Sequence, residues 1–188
     1  MKNLFFSIII ISLLNCCGND NKKADKPIET KEVTTENLQK FNSVKDMLTE
    51  AGDFSTENGT LKIIDENSEK LHIQVSKPIV KGDLDKVINE IVKRDIIYVA
   101  FQTFAQTPTE KITITSIPID LEDRSKYYEE YKKTVTVTKE TADRIMKDEL
   151  GTNDYSILFS DLNGIQVPSK EFDKLKFEKL DETFNKLK

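Results

Sequence analysis

Asp83–Gln106, DLDKVINEIVKRDIIYVAFQTFAQ, is the longest stretch of this 188-residue chain that reads as one helix, and the most apolar one outside the N-terminal leader. Gly82 supplies a break and Asp83 an N-cap, whose carboxylate can accept from the unpaired amides of a first turn and offset the positive end of the helix dipole. Leu84, Val87, Ile88 and Ile91 follow at helical spacing, with Asp85, Lys86, Asn89, Glu90 and Lys93 on the other face. From Ile96 to Phe101 the run IIYVAF is apolar all round, which suits a buried helix and leaves a buried strand as the alternative. Two features point to helix: no breaker interrupts 83–106, and Phe101, Phe104 and Ala105 continue the i, i+3, i+4 stripe. Thr107-Pro108 then ends a helix of about 22 residues, roughly 33 Å, long enough to cross a small sheet.

Upstream, Ser43 has the chemistry of an N-cap for a short helix, VKDMLTEA, in which Val44, Met47, Leu48 and Ala51 form the apolar stripe and Gly52 the stop. Thr60–Ile64 and Leu71–Val75 read as two strands around the turn-rich DENSEK, hence an antiparallel hairpin. Downstream, Lys111–Ser116 and Lys133–Thr138 alternate Ile112/Ile114 and Val135/Val137 with threonine and lysine, the pattern of a sheet with one wet face. Thr138 caps a helix through Leu150 with Gly151 at its end, Tyr155–Phe159 reads as a short strand, and Pro168-Ser169 opens a last helix carrying Phe172, Leu175, Leu180, Phe184 and Leu187. The order ββα-ββα plus a final helix predicts an α+β fold: a two-layer sandwich of an antiparallel sheet and a long central helix, with further helices at the C-terminal end.

The charged fraction is 32% and the net charge −5, with the two signs interspersed and no basic stripe, which disfavours nucleic acid as a partner. Both cysteines, Cys16 and Cys17, stand at the end of the leader MKNLFFSIIIISLLNCC, so disulfides and thiol chemistry are absent from the rest of the chain. The uncharged run Leu4–Leu14 is shorter than the roughly 20 residues a membrane span needs but suits the apolar region of a secretory signal. With cysteine directly after it, this segment resembles bacterial lipoprotein signal peptides. The resemblance covers the leader alone. It implies a signal peptide over residues 1–16, removal of the leader before the acylated cysteine, diacylation of that cysteine, and a membrane-anchored protein of the bacterial cell envelope, facing the periplasm or the surface. Ser12-Leu13-Leu14-Asn15 places the lipid on Cys16, although Asn15 stands where Gly, Ala or Ser is commoner; Cys17 is the alternative. Residues 17–42 are polar and mixed in charge, which predicts a flexible tether, and residues 43–188 then make a single α+β domain.

His72 is the only histidine, mid-strand and opposite Leu71 and Ile73, so a multi-histidine metal site is excluded and a solvent-facing role expected. Asp161-Leu-Asn-Gly164 has part of the spacing of a calcium loop, but Phe159 and Lys170 occupy the first and twelfth ligand places. A glycine turn explains it. No phosphate-cradling glycine loop is present, and no cofactor is expected. The connection IDLEDRSKYYEEYK carries Tyr127, Tyr128 and Tyr131 among charged residues, a composition that interfaces favour. As a short helix it would bring Tyr127 and Tyr131 to one face against the core and leave Tyr128 toward solvent. These three tyrosines are the partner-binding candidates. Together the readings predict a non-enzymatic envelope lipoprotein, held to the membrane by its N-terminal lipid, that presents a domain to an unknown protein or envelope component. The alternatives are a hydrolase working with carboxylates alone, and a structural subunit of an envelope assembly.

Overall fold

The computed structural model describes residues 31–67 and 69–188; the leader, Cys16, Cys17 and residues 17–30 lie outside the described residues. In chain order the elements are β1 (Lys31–Glu32), α1 (Val44–Glu50), β2 (Leu61–Asp65), β3 (His72–Val75), β4 (Pro78–Ile79), α2 (Asp85–Gln106), β5 (Lys111–Ser116), β6 (Ile119–Asp120), β7 (Lys133–Thr138) and α3 (Lys139–Leu150). There follow β8 (Phe159–Leu162), β9 (Ile165–Pro168), α4 (Lys170–Asp173), a π-helical turn (Lys174–Glu178) and α5 (Leu180–Leu187). The fold is α+β, as expected.

The main sheet has the order β2-β3-β5-β7. The hairpin β2–β3 and the pair β5–β7 are antiparallel, but β3 and β5 run parallel, with Ile73 opposite Ile114, so the sheet is mixed rather than wholly antiparallel. A parallel pair needs a crossover connection, and α2 provides it. The inner face of this sheet buries Leu61, Ile73, Val75, Ile112, Ile114, Val135 and Val137. On its outer face Thr113 pairs with Thr136 and Thr115 with Thr134, hydroxyl to hydroxyl at 2.8 Å, while His72 Nε2 lies 2.9 Å from Thr115 Oγ1.

Residues 96–106 of α2 are buried at every position except Tyr98, which is half-buried. All-round burial accounts for the all-round apolar run, and settles 96–101 as helix. The strands β5 and β7 cover one side of α2, while α1, α3, the turn at 155–158 and the C-terminal helical segment pack around the remainder. The helix starts later than the sequence suggests. Leu84 stands at the N-cap position without a side-chain hydrogen bond, and the Asp83 carboxylate instead accepts from Val80 N at 3.0 Å, closing the preceding turn. Leu84 and Val87 are accordingly exposed, and the buried stripe begins at Ile88.

Both shorter caps form as expected: Ser43 Oγ accepts from Asp46 N, and Thr138 Oγ1 from Thr141 N. Gly151 ends α3 at φ 76°, a conformation that a Cβ would strain. Tyr155–Leu158 is a helical turn rather than a strand, and strand geometry starts at Phe159. Glu149, whose side chain is only 3% exposed, accepts from both Lys179 and Lys186 and so ties α3 to the C-terminal segment. Those two hydrogen bonds hold its carboxyl down at about 2.

The expected tether is packed from Lys31 onward. β1 pairs antiparallel with β8, so a three-stranded sheet β1-β8-β9 closes one side of the domain. Val33 and Leu38 enter the core. Phe41 N donates to Gln106 O at 2.8 Å and Lys40 Nζ to Ala105 O at 2.5 Å. The physical reason is the end of α2: its last carbonyls have no partner within the helix, and the segment that looked too polar to pack supplies donors for two of them. Limited proteolysis followed by N-terminal sequencing should therefore give a resistant product that keeps Lys31–Asn42. A stable core beginning at Ser43 would show this segment to be dispensable.

Candidate ligand-binding cleft

The connection between β6 and β7 is a β-bridge followed by one tight turn. Tyr127 bridges to Ile119, and Lys62 Nζ stands 4.4 Å over its ring. Tyr128 O–H donates to Asp120 Oδ2 at 2.6 Å, a bond that pushes its phenol up to about 12 and holds the Asp120 carboxyl low. Tyr131, in the turn Glu129–Tyr131, donates to Asp85 Oδ1 at 2.6 Å and packs on the core. All three are half-buried, so the expected division into two packed tyrosines and one facing solvent does not occur. An extended bridge turns neighbouring side chains to opposite sides, and each ring then finds its own partner within the domain.

The concave site lies elsewhere, along the face of α2 that carries Ile91, Arg94, Asp95, Tyr98, Gln102 and Gln106. These positions recur every three or four residues and so align. A lobe of about 480 Å³ lies over Arg94, Asp95 and Tyr98, walled by Pro78, Pro168 and Phe177. A second, of about 310 Å³, lies over Gln102 and Gln106 between α1 and β9. Asp53, Tyr98 and Pro168 line both lobes, which are therefore adjacent. Such volumes fall in the range of small-molecule and short-peptide sites.

Three cations border the first lobe. Lys77 pairs with Asp53 at 3.4 Å and lies over the Phe54 ring at 4.5 Å. Lys176 pairs with Asp173 at 3.3 Å, and its Nζ is 5.3 Å from the Phe177 ring centre and 5.5 Å from that of Tyr98. Arg94 donates through Nε to its own helix at Glu90 O, 3.3 Å, and its guanidinium lies over Phe177 at 5.2 Å. Among the described residues no carboxylate reaches it within salt-bridge distance. Tyr98 is fixed by stacking on Phe172, with ring centres 5.6 Å apart, and burial together with the nearby Asp53 carboxylate raises its phenol above the ordinary range.

Asp95 is the carboxyl of the cleft floor, 7% exposed, accepting from Ser116 Oγ at 3.3 Å. Burial pushes it up to about 7, against the opposing pull of Lys77, the Ser116 hydroxyl and Arg94. In the second lobe the Oε1 atoms of Gln102 and Gln106 are buried and accept no hydrogen bond. Gln106 donates through Nε2 to Gln166 Oε1 at 3.5 Å, and Gln166 in turn donates to Asn37 O at 2.7 Å. Unpaired buried acceptors are costly, and both oxygens lie beneath the surface of the lobe, out of reach of solvent.

None of Tyr127, Tyr128 and Tyr131 lines the cleft. The sequence carried a signal for the residues that do: Asp95, Gln102 and Gln106 are polar residues in one register of an otherwise apolar helix. Compared with protein-family models, with curated proteins and with solved structures, the chain matches none.

The Asp95 shift has a stability consequence of definite sign. Its folded value lies above the 3.8 of an ordinary aspartate, so its contribution is complete below that value and is lost as the pH rises through about 7. Wild-type stability should therefore fall between pH 5 and pH 8. Asp95→Asn, which stays neutral, should already exceed wild type at pH 5, where an unfolded aspartate is ionised, and should widen the difference by roughly 1–3 kcal/mol more at pH 8. Urea midpoints at the two pH values measure this; equal midpoints at both would mean that Asp95 ionises without penalty.

Proposed function

We propose that this chain is a lipid-anchored binding protein of the bacterial cell envelope, whose folded domain holds a ligand in the cleft along α2 and carries out no chemistry on it. The leader, with cysteine directly after its apolar run, supports the anchoring. Binding rests on one observation: in the first lobe the Arg94 guanidinium lies over Phe177 with no carboxylate within salt-bridge distance among the described residues, a group that recognises anions rather than reacts with them. The two carboxyls of the first lobe are engaged, Asp53 by Lys77 and Asp95 by Ser116.

Hydrolysis by carboxylates is the second reading, favoured by a desolvated Asp95 in the same cleft as Asp53. A desolvated carboxyl in the same cleft as a second one is the arrangement of acid and base in glycosidases. Incubation with purified envelope glycan separates the two readings. Binding alone leaves the number of reducing ends unchanged, whereas an increase abolished by Asp95→Asn would put hydrolysis first.

Cys16→Ser should abolish acylation and move the protein to the soluble fraction, since stable anchoring takes more than one acyl chain, while Cys17→Ser should leave it membrane-bound. Release by Cys17→Ser instead would shift the attachment by one residue. Retention after both replacements would overturn the anchoring.

A further inference from the structure

The first lobe has apolar walls and a border of cations. Ile91, Tyr98, Pro78, Pro168 and Phe177 make the walls, and Lys77, Arg94 and Lys176 bring the positive charge. Phe177 is the wall that packing of the domain does not explain: it stands 50% exposed, while Leu175, two residues earlier, is fully buried. The cause is the π-helical turn Lys174–Glu178, in which Lys179 N donates to Lys174 O at 2.8 Å. Such a turn holds one more residue than an α-helical one, rotates the side chains in it, and recurs at functional sites. Here it sets a half-exposed ring at the lobe, with the Arg94 guanidinium 5.2 Å and Lys176 Nζ 5.3 Å from its centre. Lys77 and Lys176 have carboxylate partners in Asp53 and Asp173; Arg94 has none among the described residues.

We propose that the first lobe takes a small organic acid with a flat apolar body, its anionic group on the Arg94 guanidinium and its body against Phe177 and the two prolines. This rests on the reading of the cleft as a binding site and names what it takes. The planar fork of arginine matches an acid group through two parallel hydrogen bonds. An exposed ion pair alone is weak in water, and the apolar walls supply the remainder through the body that the acid group carries. A volume of about 480 Å³ suits a small molecule of this kind. Asp95 makes the site sensitive to pH. The groups that face it are Lys77 from the link between β3 and β4, Asp53 from the turn after α1, Ser116 on β5 and Arg94 beside it on α2; Lys176 of the C-terminal segment shares the lobe. Lys77 and Asp53 pair with each other. Once ionised, Asp95 puts a negative charge next to Arg94 and competes with the ligand for it, so affinity for an anion falls as the pH rises through about 7.

Three probes test this: naphthalene-2-sulfonate, whose charge does not change with pH in this range; naphthalene-2-sulfonamide, its neutral counterpart; and methanesulfonate, the acid group without the body. Equilibrium dialysis measures their binding to the full lipid-anchored chain in non-ionic detergent, with protein-free micelles subtracted. At pH 6 wild type should hold the naphthyl sulfonate about tenfold more tightly than the sulfonamide, the worth of one charge-assisted pair, and should hold methanesulfonate far more weakly than either. Arg94→Met should bring the sulfonate down to the level of the sulfonamide and leave the sulfonamide unchanged, while Phe177→Ala should weaken both. From pH 5 to pH 8 the sulfonate should lose affinity about tenfold in wild type and hold it in Asp95→Asn. Unchanged sulfonate binding in Arg94→Met, methanesulfonate bound as tightly as the naphthyl sulfonate, or a pH profile that Asp95→Asn does not alter would overturn the proposal. If sulfonamide and sulfonate bind equally and Phe177→Ala weakens both, the cleft is a ligand site and the acid assignment is wrong; if no probe binds, both fall.

Discussion

Strands β3 and β5 lie side by side and point the same way, so the chain must travel the length of the sheet between them. Everything characteristic of this domain follows from how that return is made. The crossover is α2, 22 residues long. A helix that long cannot bury its surface on a four-stranded sheet alone; the remainder of the chain covers it, and the apolar run from Ile96 to Phe101 is what allows contact on all sides. The return also fixes the register of the polar residues. A sheet below and helices around leave one line of positions, Arg94 to Gln106, at the seam where α1, β9 and the C-terminal segment fail to meet, and that seam is the cleft.

The polar residues in this seam sit where a stability argument would place leucine. Asp95, Gln102, Thr103 and Gln106 are all buried, and Gln102, Thr103 and Gln106 each have a side-chain oxygen without a partner. Buried, unsatisfied polar groups each cost on the order of 1–3 kcal/mol. Asp95 limits its own cost by holding a proton to about pH 7, an option that the amides lack. Of the orphaned side chains among the described residues, Gln102 and Gln106 belong to residues that line the cleft, while Thr103, Ser76 and Thr183 lie outside it.

The parts of this fold legible in the sequence are those governed by local chemistry. Ser43 and Thr138 announce their helices because a hydroxyl before an amphipathic run has one use, and Ile112/Ile114 and Val135/Val137 announce strands by alternation. What escaped is set by distant partners. Polarity alone gave Lys31–Asn42 as tether, yet its backbone and side chains answer needs created by β8 and by the C-terminus of α2, which lie far along the chain. The parallel pairing of β3 and β5 was hidden for a similar reason: a four-residue strand between a hairpin and a crossover reads alike in either direction. Tyr128 and Tyr131 drew attention by composition, but their hydroxyls reach Asp120 and Asp85, on β6 and α2. Composition does not show whether an aromatic has already found its partner.

The three-stranded sheet links the anchor to the cleft. β1 and β9 flank β8, so the segment by which the chain enters the domain lies two strand spacings, about 10 Å, from the edge that borders the cleft. On the proposal that Cys16 carries the lipid, residues 17–30 are all that separates it from β1, and no conformation of that length exceeds about 50 Å. Packing of Lys31–Asn42 therefore has a functional side: it brings the entry point to the sheet that forms the site and roughly halves the longest distance at which the site can stand from its anchor. A ligand held in the cleft beside β9 would stay within that radius of the lipid, which favours partners that are themselves at the membrane surface.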